Sequence, residues 1–163
     1  MLLMLCLAAY YISTAQANEP EALSGKVVSV LDGNTLEFVG ADNQTQKILL
    51  ADIDSPELEQ SYGDKAKKML EKLALEKQVS VRITGKDRKG NKLAEVVVEG
   101  KTDLRIALLK EGLAWTAERN PVPELEAHRA KAQENGKGLW KDEDPTPPWI
   151  FRRQQSMLQA KSS

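Results

Sequence analysis

Leu49-Leu50-Ala51-Asp52-Ile53-Asp54-Ser55-Pro56-Glu57 is the stretch on which both fold and site turn. An apolar run leads straight into Asp52, Asp54 and Glu57, and Pro56 holds Ser55 out of helical geometry. Upstream, Asp32-Gly33-Asn34-Thr35 joins two more β-rich runs. Oxygen ligands at the ends of two neighbouring strands suit a hard cation such as Ca²⁺. Asp52 and Asp54 share a face if the strand continues through them. Close carboxylates repel unless a cation or protons intervene. The plain alternatives are a solvated strand end and, for Asp32-Gly33-Asn34, an ordinary Asp-Gly hairpin turn.

Outward from this stretch, β-branched alternation predicts strands over 25–31, 35–39 and 46–53, joined by short turns into a meander. The spacing of Ala66, Met69, Leu70, Leu73 and Ala74 predicts an amphipathic helix over 62–76. Strands over 78–84 and 93–99 flank a charged turn at 86–92 that contains Gly90. Thr102 or Asp103 can cap a helix that reaches Lys110 and stops at Gly112. A third helix over 124–134 ends at Asn135-Gly136. The order βββ-α-ββ-α-α predicts an α+β fold, a five-stranded OB-type barrel with three helices. The segment 144–148 is proline-rich, and the tail 151–163 has too few apolar residues to predict order.

The 163 residues argue for one domain, placed at 18–150. Residues 1–17 are uncharged and mostly apolar, and Ala15-Gln16-Ala17 forms a small-x-small site, so this segment reads as a secretory signal peptide. It has no Lys or Arg at its start, and an uncleaved membrane anchor is the alternative. Cleavage would remove Cys6, the only cysteine, and excludes cysteine-built metal sites from an exported, periplasmic or secreted product. No membrane contact is expected after its removal, and a monomer is expected. With 23 basic and 24 acidic residues the net charge is −1, so nucleic acid contact must come from a local patch. His128 is the only histidine and sits among charged residues of a predicted helix. Histidine-based nucleases, Ser-His-Asp hydrolases and multi-histidine zinc sites are disfavoured. Hydrolysis here would have to run on carboxylates and an oxygen-bound metal.

A specific resemblance joins these segments. Gly25-x-Val27-x-x-Val30-x-Asp32-Gly33-x-Thr35-Leu36 and Ile53-Asp54-Ser55-Pro56-Glu57-x-x-Gln60-x-x-Gly63 come first, followed by Ala66. Glu111-Gly112-Leu113-Ala114-Trp115, Gly138-Leu139-Trp140 and Pro147-Pro148-Trp149 follow in order. Together they make the chain similar to the staphylococcal nuclease (thermonuclease) family. The resemblance implies an OB barrel with three helices and Ca²⁺ held by two aspartates and a backbone carbonyl. It further implies a glutamate that activates or orients water and two arginines that bind phosphate. By position the metal ligands fall on Asn34, Asp54 and the Ser55 carbonyl, with Asp32 as nearby support, and the glutamate on Glu57. The arginine positions fall on Leu49 and Asn91.

Asn34 keeps an oxygen but loses a charge, so Ca²⁺ affinity should fall. A bidentate arginine makes charge-assisted bonds to a phosphoryl group, and one such donor is worth about 10²–10⁵ in rate. Leucine supplies none of this. Lys47, Arg88, Lys89 and Lys92 are the candidates for a relocated phosphate patch, although lysine lacks the arginine fork. Trp115, Trp140 and Trp149 read as core and tail anchors rather than stacking platforms. The expectation is a catalytically impaired binding module for nucleic acid or a protein partner. A weak or rewired Ca²⁺-dependent nuclease is the alternative.

Overall fold

Alternating side chains and short polar turns build the barrel, which a computed structural model describes over residues 22–162. The strands are β1 (Leu23–Val30), β2 (Thr35–Gly40) and β3 (Thr45–Leu50), then β4 (Ile53–Asp54) before helix α1 (Gly63–Ala74). Next come β5 (Gln78–Lys86), β6 (Lys92–Val98), β7 (Thr102–Asp103), α2 (Leu104–Lys110) and β8 (Trp115–Thr116). Helix α3 (Pro123–Glu134), a 3-10 turn (Gly138–Lys141) and α4 (Pro148–Ser162) complete the chain.

The five long strands pair in the order β3-β2-β1-β5-β6. Parallel pairing of Ile48, Leu49 and Leu50 with Lys92, Leu93 and Ala94 closes β3 onto β6, so the barrel has no free edge among these strands. This is the predicted α+β, OB-like barrel. Val27, Leu36, Phe38, Ile48, Val81 and Val96 are fully buried, and each apolar side chain so buried is worth about 1.5–3 kcal/mol. Ala66, Leu70 and Ala74 of α1 and Leu104, Leu108 and Leu109 of α2 join the same core, with Met69 and Leu73 half-buried against it. A smaller cluster unites Ala132, Leu139 and Trp140 with Tyr62 and Trp115.

The structure departs from the sequence expectation in three places. The third strand does not run to Ile53. It stops at Leu50, Asp52 takes a left-handed φ of 62°, and the short β4 pairs with β8 outside the barrel. Asp52 and Asp54 therefore do not share one strand face. Second, four α-helices are present among the described residues where three were expected. Third, the tail 151–163, expected to lack order, is helical as far as Ser162. Pro148 sits at the helix start, where its fixed φ is pre-organised, and Arg, Gln, Met, Leu and Ala favour helix without burial. A low apolar content argues against burial rather than against helix, and residues 152–162 are exposed.

The predicted signal segment 1–17 and Cys6 lie outside the described residues. Among the described residues no helix is long and apolar enough to cross a membrane.

Candidate functional site

The site forms where the β1–β2 turn meets the loop after β4. Asp32 Oδ1 accepts the Asn34 amide at 2.8 Å, which sets the turn locally. Gly33 has no positive φ, so hairpin chemistry is not what requires it. A Cβ there would meet Ala66 Cβ at 2.6 Å and Ser55 Cβ at 3.0 Å. The Ser55 hydroxyl donates to Gly33 O at 2.9 Å and pins the two loops together. Glycine is needed for this close approach.

A second close approach places Glu57. The loop from Glu57 closes through Gln60 N to Glu57 O at 2.9 Å, and Gln60 Oε1 accepts the Glu57 amide at 2.9 Å. Gln60 Nε2 donates to Thr146 O at 2.9 Å, tying the same loop to the proline-rich segment. A Cβ on Gly63 would lie 2.0 Å from Glu57 O, so α1 can start against this loop only with glycine.

Asp54 and Glu57 open into a cleft that is also lined by Asp32, Asn34, Leu49 and Asn91. The residues picked from two distant sequence segments are thus brought together, and both expected arginine positions face the same cleft. Leu49 contributes an apolar wall. The Asn91 amide donates to Asp87 Oδ2 at 2.8 Å and holds the β5–β6 turn; that bond keeps the Asp87 carboxyl below its ordinary range. Arg88 and Lys89 also line the cleft. Lys47 and Lys92 do not: Lys47 is exposed opposite Glu37, and Lys92 donates to Gln46 at 2.6 Å. Trp149, expected only as a tail anchor, packs edge-on to Trp115 with centroids 5.7 Å apart and lines the cleft too. Trp115 in turn meets Trp140 at 4.4 Å.

Two arginines that pair with carboxylates of the site were missed by the sequence expectation. Arg152, from α4, forks onto Asp54 with Nη2–Oδ2 at 2.7 Å and Nη1–Oδ1 at 3.1 Å. Its Nη1 also reaches Glu57 Oε1 at 2.6 Å. Burial pushes the Asp54 carboxyl above its ordinary value, and the opposing bonds from Arg152 do not cancel that. The bonds to Asp54 in turn hold the Arg152 guanidinium more firmly charged. Arg105 is the other, buried beneath the site and paired with Asp103 at 2.8 Å, Glu95 at 3.2 Å and Asp52 at 3.2 Å. Burial works against its charge, but Asp103, Glu95 and Asp52 outweigh that and leave its pKa raised. It anchors the left-handed turn immediately before β4. Nothing local in sequence marks Arg105 or Arg152.

Charge decides what the cleft can take. Asp32, Asp52, Asp54, Glu57, Asp87 and Glu118 line it against Arg88, Lys89 and Arg152, six acids to three bases. The balance favours a cation over a bare polyanion. Whether Ca²⁺ suits the site is answered by its donors. Asn34 Oδ1 is buried and has no hydrogen-bond partner, an orphan oxygen that a hard cation would satisfy. Among the described residues no three of His, Cys, Asp and Glu are grouped to hold a metal. The hard oxygens that would hold such a cation are those of Asp54, Asn34 and the Ser55 carbonyl, all of them residues that line the cleft. Bound there, Ca²⁺ would supply positive charge beside a phosphoryl oxygen.

A closed barrel with paired carboxylates on its β4 loop, facing a turn of hard oxygen ligands, defines a nuclease-like OB domain. Residues 47–142 match the model of the staphylococcal nuclease homologue family. The chain is 36% identical over 131 residues to an "Uncharacterized endonuclease" of Escherichia coli O157:H7, covering 80% of this chain and 85% of that one. It is 38% identical over 138 residues to an "Uncharacterized endonuclease" of Haemophilus influenzae, covering 83% and 76%. It is 32% identical over 140 residues to a "Micrococcal nuclease" of Shigella flexneri, covering 79% and 80%. The chain belongs to the staphylococcal nuclease homologue family.

Proposed function

We propose that this chain is an exported nuclease-fold domain whose cleft has lost most of its hydrolytic power. It acts as a binding module for nucleic acid or a protein partner. One observation carries this reading: Leu49 and Asn91 line the same cleft as Asp54 and Glu57. The two positions that would present guanidinium forks to a phosphate thus present an isobutyl group and an amide already spent on Asp87. Glu57 can still orient a water molecule, but the charge that builds on the phosphoryl oxygens meets no arginine from either position. The acidic excess of the cleft supports the same reading, because nucleic acid would have to dock on another face of the barrel.

The alternative, a weak Ca²⁺-dependent nuclease, draws support from Arg88 and Lys89, which do line the cleft. The test is cleavage of denatured DNA and of RNA with excess Ca²⁺, beside micrococcal nuclease at equal concentration. The expected rate is lower by about 10² or more, the worth of one lost phosphate donor. Cleavage at a comparable rate, abolished by Glu57→Gln, would overturn the proposal.

A further inference from the structure

Arg152 does chemically what a divalent cation would do at this site. Its guanidinium places two donors on both oxygens of Asp54 and a bond on Glu57, at 2.6–3.1 Å. This is the fork geometry in which arginine matches carboxylates best. The group comes from a helix whose residues 152–162 are all exposed. Trp149, packed edge-on against Trp115, roots the start of that helix, and Arg153 meets Glu118 at 3.4 Å one residue farther on.

We propose that Arg152 is a built-in occupant of the carboxylate pair, and that α4 is a latch which a divalent cation displaces. The inference rests on the reading of Asp54 and Asn34 as cation ligands. A cation and the guanidinium cannot both take the Asp54 oxygens, and two like charges at contact distance repel. The cleft without Arg152 keeps six carboxylates against two cations, so the vacancy favours positive charge. Asn34 Oδ1, buried without a hydrogen-bond partner, gives the cation a ligand that the guanidinium does not use. Arg152 is half-exposed, with 49% of its side-chain surface accessible, so the latch is held weakly enough to exchange. When the cation binds, the helix beyond Phe151 loses its tie to Asp54 and Glu57. A separate hollow lined by Glu57, Phe151 and Gln155 borders that tie, so the freed helix has room to move.

Two measurements on the full chain test this without relying on cleavage. Calorimetry with Ca²⁺ compares the unsubstituted protein with Arg152→Gln and, as a charge control on the same helix, Arg153→Gln. Arg152→Gln should bind Ca²⁺ about fivefold more tightly or better, the equivalent of an exposed pair, and Arg153→Gln should not. Hydrogen exchange then follows the backbone of α4. Saturating Ca²⁺ should raise exchange in α4 of the unsubstituted protein, and Arg152→Gln should exchange fast with or without it. Unchanged Ca²⁺ affinity in Arg152→Gln overturns the proposal. So does α4 protection that ignores saturating Ca²⁺, or absence of Ca²⁺ binding in both proteins. Absence of nuclease activity leaves these readouts untouched, so the two proposals fail separately.

Discussion

Replacing Arg105 by methionine should destabilise the protein, because its one guanidinium pairs with three carboxylates under the site. Its side chain is 9% exposed, against 20% for Asp103, 22% for Glu95 and 40% for Asp52. Breaking a buried pair typically costs about 3–5 kcal/mol. The Asp52 arm is solvated enough to count as a surface pair worth about 1 kcal/mol or less. Asp103 and Glu95 are partly wet, which brings the total to about 2–4 kcal/mol. Methionine keeps the volume of the aliphatic stem, so no cavity adds to this. At about 3 °C per kcal/mol for a domain of this size, Tm should fall by about 6–12 °C. Urea unfolding is the assay, with an unchanged slope showing that the folded and unfolded states keep their compactness. Adding Asp103→Asn preserves the cap on the Arg105 amide, seen at 2.9 Å, while removing one orphaned charge. The double variant should therefore lose less than the sum, with a coupling of about 1–2 kcal/mol. A loss under about 0.5 kcal/mol, or strict additivity, would refute the idea that this network holds the turn before β4.

Three more perturbations probe the site and its support. Asn34→Asp, Leu49→Arg and Asn91→Arg together should rebuild a Ca²⁺- and phosphate-binding cleft, raising Ca²⁺-dependent DNA cleavage by about 10² or more over the unsubstituted chain. A folded triple variant that neither binds nucleotide nor cleaves would show that these positions do not carry the family roles. Gly63→Ala should cost about 1–3 kcal/mol in urea unfolding, since the new Cβ would lie 2.0 Å from Glu57 O; a neutral result would mean that α1 does not brace the Glu57 loop. Glu126 has its carboxyl held below its ordinary value, first by Arg129 and then by Thr116. A lowered folded pKa adds stability above the ordinary value of 4.5 that disappears as pH falls through the folded one. Glu126→Gln should thus be measurably less stable than the unsubstituted protein at pH 7, with the deficit shrinking as pH falls below 4.5, and a deficit that does not change with pH would contradict the assignment.

Much of this protein was legible from residue order alone. The five barrel strands follow from period-two alternation, because one face of each must be buried. Asp54, Ser55 and Glu57 could be singled out because a proline and short spacing keep their oxygens close in sequence, while contacts from Gly33, Gln60 and Gly63 fix their placement in the cleft. Gly33 was found for the wrong reason. Asp-Gly signals a hairpin, whereas the glycine is there because α1 and Ser55 press against it, a contact between segments far apart in the chain. The end of the third strand was misplaced because Asp52 is tied to Arg105, 53 positions later, and that tie favours a left-handed turn over a continued strand. Arg152 was invisible for the same physical reason. A half-exposed arginine on a polar tail has no periodicity or spacing to mark it, and its meaning appears only when α4 brings it across 98 positions to Asp54. Local backbone preference and side-chain alternation act over a few residues, so sequence determines strands, turns and the carboxylate motif. Charge pairing acts through space, so only the folded chain decides which cation those carboxylates hold.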